Sequence, residues 1–213
     1  MRNQSNLTKY RILAPIYDLL MSRSFVRSAR HRALTLLDIE PGDHVLLVGV
    51  GTGEDLAFLP TSTSLVGIDL SEEMLEVARA KFPSAELRVM NAESITYPDG
   101  SFDKVVLNLV LSVVENPRQA LAEALRVLKP EGRVVVFDKF LPAGESPSLA
   151  RRMLNVLTSW LGTDINRRFD DLSRGLPFQM VSEEPSLFGG SYRILLLEKA
   201  NRPVTRPEAP SHR

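Results

Sequence analysis

Short apolar runs alternate with amphipathic stretches through the middle of the chain. Runs of about four to eight apolar residues bounded by glycine, proline or polar residues predict buried strands, whereas apolar residues at three- and four-residue intervals predict helices. The pattern predicts strands at 44–49, 64–68, 86–90, 103–109 and 132–138, and helices at about 54–58, 71–81 and 117–128. Because strands alternate with helices, we expect a parallel sheet with helices on both faces.

The pattern changes towards the end of the chain. Apolar segments near 177–181 and 192–199 are separated by Pro185 and by Gly189 and Gly190, with no crossover helix between them. A parallel pair of strands needs a long crossover, but an antiparallel pair does not. These two segments therefore predict a terminal antiparallel hairpin added to the sheet.

Composition and turn residues suggest the domain boundaries. Residues 1–40 are predicted to be an N-terminal helical cap, with a break or kink at Pro15. Residues 41–200 follow as one domain, with a lid inserted at about 141–175. The tail, 201–213, contains three prolines and no apolar period, which is typical of a disordered segment.

The composition is that of an ordinary globular domain. The chain has 213 residues, of which 44% are hydrophobic and 24% charged, so one buried α/β core is expected. Twenty-six basic and twenty-six acidic residues balance, which gives no sign of nucleic-acid binding. There is no cysteine, and no apolar run approaches the ~20 residues of a membrane span. We expect a cytoplasmic protein that can associate peripherally with the inner face of a membrane.

The candidate chemistry begins at a glycine-rich turn after the first predicted strand. Gly49, Gly51 and Gly53 stand at alternate positions, where the missing Cβ atoms permit positive φ and close approach of a ligand to the main chain. Sixteen residues after Gly53, Asp69 ends the second predicted strand, a position from which a carboxylate can accept from both ribose hydroxyls. The two features together indicate a nucleoside-containing cofactor.

The spacing of the turn favours one cofactor over another. A dinucleotide-binding turn has glycine at the position that Glu54 occupies here, and a carboxylate there would repel the phosphates. S-adenosylmethionine has no phosphate, so it fits better than NAD. Two other functions are alternatives to an enzyme that uses S-adenosylmethionine: an NAD(P)-dependent oxidoreductase and a non-catalytic S-adenosylmethionine-binding protein.

Four motifs over residues 10 to about 140 resemble the class I S-adenosylmethionine-dependent methyltransferases. They are the glycine turn, the Gly-Ile-Asp-Leu-Ser-Glu-Glu-Met-Leu segment at 67–75, the Asn-Ala-Glu segment followed by Tyr-Pro-Asp-Gly-Ser-Phe-Asp at 91–103, and Arg-Val-Leu-Lys-Pro-Glu-Gly-Arg at 126–133. The N-terminal Ala-Pro-Ile-Tyr-Asp and the Leu-Ser-Val-Val at 111–114 are most similar to quinone-biosynthesis C-methyltransferases and bacterial phosphatidylethanolamine N-methyltransferases. The resemblance implies a three-layer Rossmann-like fold with a mostly parallel seven-stranded sheet.

The resemblance also implies a set of cofactor-binding residues. Asp69 would bind the ribose, residues 91–93 would form the adenine rim, Met74 would pack on the adenine, and Tyr10 and Tyr17 would close over the cofactor. No catalytic residue is singled out, and no metal is expected. The predicted cofactor-binding residues are Tyr17, Gly49, Gly51, Thr52, Gly53, Asp69, Leu70, Met74, Asn91, Ala92, Glu93 and Asn108.

Two positions depart from the family pattern. Leu47 stands where the family often has an acid, so the amino group of the cofactor must be bound by the backbone or another side chain. Asn91 stands where the family often has Asp, and its carbonyl oxygen is expected to accept from the adenine amino group.

Local composition suggests the methyl acceptor. Basic residues are concentrated in the N-terminal helices, and the segment after the fifth strand is rich in apolar residues beside Arg151 and Arg152. Basic and apolar faces suit an anionic bilayer. The alternatives are a solvated face and an ordinary active-site cap. We expect a small-molecule or lipid acceptor; the oligomeric state is left open.

Overall fold

The protein is built around one seven-stranded sheet. The structure is a computed structural model that describes residues 24–60, 63–141 and 166–200. Its strands are β1 (His44–Val48), β2 (Ser64–Asp69), β3 (Glu86–Val89), β4 (Phe102–Asn108), β5 (Leu128–Lys139), β6 (Phe178–Pro185) and β7 (Tyr192–Lys199). Their order across the sheet is β3-β2-β1-β4-β5-β7-β6. Strands β1 to β5 pair in parallel, and β7 is antiparallel to both β5 and β6. The predicted sheet and its terminal hairpin are confirmed.

Helices cover both faces of this sheet. They are α1 (Ser24–Leu37), α2 (Glu72–Lys81), α3 (Pro117–Val127), α4 (Phe169–Ser173) and α5 (Leu187–Gly190). Side chains alternate between faces along each strand. In β1, for example, Leu46 and Val48 pack with α3, whereas Val45 and Leu47 pack with α1 and α2. Two apolar cores therefore enclose the sheet as a three-layer α/β structure.

The helix predicted at about 54–58 is shorter in the structure and is not an α-helix. The glycine turn leads instead into a single 3₁₀ turn, Leu56–Phe58. Leu59 is already extended, with φ −91° and ψ 143°, because the ring of Pro60 disfavours helical backbone at the residue before it. Proline also lacks the N–H that would continue the helix.

Strand β5 begins four residues before its predicted start at 132. Leu128 leaves α3 and pairs directly with Phe102, and the pairing of β4 with β5 then shifts register before Lys104 pairs with Arg133. Glu131 adopts φ 61° within this stretch. Pro130 and Gly132, which are residues typical of turns, therefore lie within the first part of β5.

Only part of the predicted lid falls on described residues. Residues 166–175 pack against the body of the domain: Phe169 makes an edge contact with Phe140 at 5.4 Å between ring centroids, and Arg118 of α3 donates to the carbonyl oxygens of Leu172 and Arg174. The Leu141 N–H donates to the Arg167 carbonyl over 2.9 Å. Residues 142–165, the tail and the N-terminal segment with Tyr10 and Tyr17 lie outside the described residues.

Candidate functional site

A cavity opens at the carboxyl ends of β1, β2 and β4, where ligands bind in open α/β sheets. Of the predicted cofactor-binding residues, Gly53 does not line it. A Cβ on Gly53 would lie 3.1 Å from Leu56 and from Phe82, so this glycine serves packing behind the turn. The residues that the structure does bring together on the cavity wall are Gly49, Gly51, Thr52, Asp69, Leu70, Met74, Asn91, Ala92, Glu93 and Asn108.

The glycine turn approaches the opposite wall of the cavity closely. Gly49 has φ 67°, and a Cβ there would collide with the Val110 side chain. Gly51 has φ 55° and uses its N–H to donate to Asp69 Oδ2 at 2.9 Å. Glycine is required at both positions by backbone conformation, and at Gly49 also by space.

Asp69 is held at the end of β2 by backbone donors. Its Oδ2 accepts from Gly51 N–H, and its Oδ1 accepts from Ser71 N–H at 2.9 Å. Burial of the carboxylate raises the pKa of Asp69 above its ordinary 3.8, an effect that the N–H groups of Ser71, Gly51 and Leu70 partly offset. Each oxygen retains lone pairs for a further donor on the cavity side.

The segment after β3 uses its polar side chains locally. Asn91 Oδ1 accepts from Glu93 N–H at 2.9 Å, so the oxygen expected to face an adenine amino group already has a partner. Glu93 Oε1 accepts from the N–H groups of Glu115 and Asn116, at 2.9 and 3.0 Å, and so caps the start of α3. The cavity wall at residues 91–93 is thereby tied to α3.

Sequence reasoning missed a buried charged cluster beside the turn, which we call the Asp55 cluster: Arg30, Asp55 and Asn108. Asp55 is 2% exposed and accepts from Arg30 Nη1 at 2.6 Å and from Asn108 Nδ2 at 3.0 Å. Arg30 and Asn108 both line the cavity.

The sequence contained a signal for Arg30. Arg30 is one of the basic residues of the N-terminal helices, but it lies on the stripe of α1 that also carries Val26, Ala29 and Ala33 at helical spacing. An arginine on the apolar stripe of a helix indicates a buried partner, since unpaired charges are rarely buried.

An apolar wall formed by Leu109–Val114 faces the glycine turn and was not predicted as part of the site. Val110, Val113 and Val114 line the cavity. The segment is fixed from outside: Ser112 N–H donates to Asp138 Oδ2 at 2.9 Å, and Arg167 donates to the carbonyls of Leu111 and Val114. Asp138 is fully buried, and removal from water raises its pKa.

Within the described part of the chain, no group of three or more histidine, aspartate or glutamate side chains is arranged to hold a metal ion. None of its helices combines the length and the apolar character needed to cross a membrane.

Comparison with known proteins identifies the family. Residues 46–136 match the model of the methyltransferase domain family. Phosphatidylethanolamine N-methyltransferase of Cereibacter sphaeroides is 31% identical over 164 residues, which cover 74% of this chain and 81% of that protein. The chain belongs to the S-adenosylmethionine-dependent methyltransferases. The cofactor of this methyltransferase is S-adenosylmethionine. The family assignment supports methyl transfer, and it gives no support to the two alternatives, an NAD(P)-dependent oxidoreductase and a non-catalytic binding protein.

Other relatives of the methyltransferase carry different names. A ubiquinone/menaquinone biosynthesis C-methyltransferase of Geotalea daltonii is 35% identical over 143 residues, which are 61% of this chain and 61% of that relative's length. A solved structure from Thermotoga maritima, described as a methyltransferase dependent on S-adenosylmethionine and a possible histamine N-methyltransferase, superimposes with a TM-score of 0.68. It covers 90% of this chain and 99% of its own at 21% identity, a likeness that concerns the fold.

Proposed function

We propose that this methyltransferase transfers the methyl group of S-adenosylmethionine to a hydrophobic acceptor of the quinone or phospholipid type, using the cavity at the carboxyl ends of β1, β2 and β4. The observation that carries the proposal is the pairing of Gly51 N–H with Asp69 Oδ2, which joins the glycine turn to the ribose-binding acid in one wall. Ten of the predicted residues share that wall.

The residues that line the cavity include polar and apolar groups suited to each part of the cofactor. Asp69 presents a carboxylate to the ribose hydroxyls. Met74 and Leu70 offer apolar surface to the adenine faces, and Ala92 lies at the rim with Asn91. Asn91 Oδ1 already accepts from Glu93 N–H. Asn91 can therefore offer the adenine ring its Nδ2 donor and the second lone pair of Oδ1.

Methyl transfer needs geometry more than acid or base. When bound, S-adenosylmethionine would supply an electrophilic methyl carbon to an electron pair of the acceptor, on nitrogen, on oxygen or on an electron-rich ring carbon. The bond from that carbon to sulfur would break, S-adenosylhomocysteine would leave, and the acceptor would give up a proton. The protein's part is to hold the two reactants in line, which can lower a barrier by about 7–11 kcal/mol. Val110, Val113 and Val114 exclude water from the side opposite the glycine turn.

Two observations support a hydrophobic acceptor. Relatives that match over most of this chain are named for phosphatidylethanolamine and for quinones, both of which reside in membranes. On α1, Phe25 is 50% exposed, and the nearby Arg27 is also exposed. An exposed aromatic residue beside a cation suits the surface of an anionic bilayer.

A radiolabelled methyl-transfer assay tests the acceptor. Quinols with an unmethylated ring, phosphatidylethanolamine in mixed micelles and a small amine such as histamine are offered in parallel, with Asp69→Asn as the control for cofactor-site dependence. We expect label in the quinol or the phospholipid, and much less with the variant. Label confined to the small amine would contradict the hydrophobic-acceptor proposal.

Vesicle sedimentation tests membrane association separately. We expect co-sedimentation with anionic vesicles at low salt, weaker binding at high salt because charge attraction is screened, and weaker binding of the double variant Phe25→Ser/Arg27→Ser. Absence of binding at low salt would remove the membrane part of the proposal and leave methyl transfer untouched.

A further inference from the structure

The apolar wall, Leu109–Val114, begins with a strained residue. Leu109 adopts φ 63°, in the left-handed region that a leucine side chain disfavours, and it is buried. Its N–H donates to the Phe137 carbonyl of β5 at 2.7 Å. A residue keeps such a conformation only where the surrounding structure imposes it. The wall is therefore held by contacts from outside it.

The rest of the wall is a single helical turn. The N–H groups of Val113 and Val114 both donate to the Val110 carbonyl, at 3.0 and 3.1 Å. A turn this short is unstable alone, because ordering its backbone costs more than its few hydrogen bonds return. Its remaining N–H and carbonyl groups need partners elsewhere.

Two charged side chains of opposite sign supply those partners. The fully buried Asp138 accepts from Ser112 N–H through Oδ2 at 2.9 Å. Arg167 donates through Nη1 to the Leu111 carbonyl, and through Nη2 to the Val114 carbonyl at 2.9 Å. A carboxylate accepts and a guanidinium donates, so each side chain holds the kind of backbone group that the other cannot. Hydrogen bonds to charged groups are stronger than those between neutral groups.

Arg167 is itself anchored to the body of the domain. Its carbonyl accepts from Leu141 N–H at 2.9 Å. Two residues later, the buried Phe169 packs edge-on against Phe140. The guanidinium therefore extends from a fixed backbone. Arg167 is not one of the described residues that line the cavity, so it acts on the cavity through the wall.

The position of the wall sets the width of the cavity. The Val110 side chain occupies the space that a Cβ on Gly49 would fill, so the wall cannot move closer to the glycine turn. A wall that is released moves away from the turn, which widens the cavity and admits water. The Gly51 N–H and Asp69 carboxylate on the facing side are bonded to each other and stay in place. Release should therefore disturb the alignment of the reactants more than the affinity for the cofactor.

We propose that Arg167 is a positioning residue for methyl transfer, because its hold on the carbonyls of Leu111 and Val114 fixes the strained wall against which the reactants are aligned. The inference rests on the proposed use of this cavity for transfer to a hydrophobic acceptor. It requires no contact between Arg167 and either reactant. A misplacement of about 1 Å can lower a rate about 100-fold, so loss of Arg167 should appear mainly in kcat.

Three variants and three measurements test this role. Arg167→Met removes the guanidinium, and Arg167→Lys is the conservative form. Arg174→Met is the matched control, because Arg174 lies in the same segment, is exposed and pairs with Asp171 instead of the wall. The measurements are amide hydrogen exchange at Val113 and Val114, calorimetry with S-adenosylhomocysteine, and kcat and KM with the acceptor that the wild type methylates.

Arg167→Met should loosen the wall and slow transfer while the cofactor still binds. Exchange at Val113 and Val114 should be about 10-fold faster, with exchange in the middle of β1 unchanged. The value of kcat should fall about 10- to 100-fold, and affinity for S-adenosylhomocysteine should stay within about 3-fold of the wild type. Arg167→Lys should be intermediate, because an ammonium lacks the planar fork that spans two carbonyls. Arg174→Met should match the wild type in all three measurements.

The outcomes separate this inference from the proposed function. Unchanged exchange at Val113 and Val114, or unchanged kcat, in a folded Arg167→Met variant would overturn the inference. A loss of S-adenosylhomocysteine affinity as large as the loss in kcat would also overturn it, because Arg167 would then serve cofactor binding. A wild type that binds S-adenosylhomocysteine but methylates no offered acceptor would contradict the proposed acceptor, and the exchange rates would still decide whether Arg167 holds the wall. Should Arg167→Met fail to fold, the same comparisons apply to Arg167→Lys.

Discussion

At Gly49 the chain turns with φ 67° against the Val110 side chain, and the space that a Cβ would fill is occupied by the opposite wall of the cavity. The glycine thus has two reasons to be there, one conformational and one steric. The two can be separated, because Gly175 has nearly the same conformation, φ 73°, with nothing within 4 Å of a Cβ.

Gly49→Ala should therefore cost more than Gly175→Ala. Strain at positive φ costs roughly 1–2 kcal/mol at either site, and overpacking adds about 1–3 kcal/mol at Gly49 alone. Urea unfolding measures both variants. We also expect weaker binding of S-adenosylhomocysteine for Gly49→Ala only. Equal destabilisation of the two variants would show that Val110 moves aside freely.

Asp69 should make cofactor affinity dependent on pH. Burial raises its pKa above 3.8, so on acidification this carboxyl takes up a proton before an ordinary aspartate does, and a protonated carboxyl is a poorer acceptor for two ribose hydroxyls. Affinity should be full at neutral pH and decline as pH falls through that raised pKa. Calorimetry from neutral pH downwards, over the range in which the protein stays folded, should show the decline in the wild type and a flat, weaker profile in Asp69→Asn. A parallel decline in both proteins would assign the titration to another group.

Residues of the site differ in how far sequence alone could place them. Gly49, Gly51 and Asp69 follow strand ends, and strand ends are visible in the apolar pattern. Asp55 and Arg30 are 25 positions apart, and their meeting depends on how α1 packs against the sheet. No local pattern contains that information, so only the buried stripe of α1 hinted at it.

Elements with a chemical boundary were predicted well. Helix α2 begins after Ser71, whose Oγ accepts from Met74 N–H, and α3 begins after Asn116, whose Oδ1 accepts from Gln119 N–H. Serine and asparagine are favoured caps, so these starts are visible in the sequence. The predicted helix at 54–58 had no such cap and ran towards Pro60, and the structure has only a 3₁₀ turn there.

Glu93 links the cavity wall to a helix, and Glu93→Ala should affect both. The start of α3 loses an acceptor for two N–H groups, which should lower the free energy of unfolding by about 1–2 kcal/mol. Residues 91–93 also lose their anchor, so affinity for S-adenosylhomocysteine should fall several-fold.

Glu93→Gln provides the control for this prediction. Glutamine keeps an acceptor oxygen without the charge, so both losses should be partial. Chemical denaturation and calorimetry measure the two quantities. A stable Glu93→Ala variant with weakened binding would indicate that Glu93 contacts the cofactor itself.

At the scale of the whole molecule, the alternation of strands and helices was enough to predict a parallel sheet with helices on both faces. The seven-stranded form came from the resemblance to the methyltransferases, and the terminal hairpin from the missing crossover helix. Strand β7 is the last strand along the described chain, yet it lies between β5 and β6 and not at the edge of the sheet. Its position is determined by pairing with strands that are distant in sequence.

Cofactor binding should stabilise the whole domain. A ligand present at 100 times its Kd adds about 2.7 kcal/mol to the free energy of unfolding, which corresponds to a rise in Tm of about 5–10 °C for a chain of this size. S-adenosylhomocysteine should produce this shift in a thermal-unfolding experiment, and NADH at the same concentration should not. A comparable shift with NADH would contradict the selectivity argued from Glu54.

The hydrogen bond from Leu141 N–H to the Arg167 carbonyl brings together the two points between which residues 142–165 depart from and rejoin the described chain. Because the attachment points already touch, an exchange of that stretch for one of another length requires no strand to move, and loop closure depends only weakly on length. The length and sequence of residues 142–165 can therefore change during evolution without a change in the sheet.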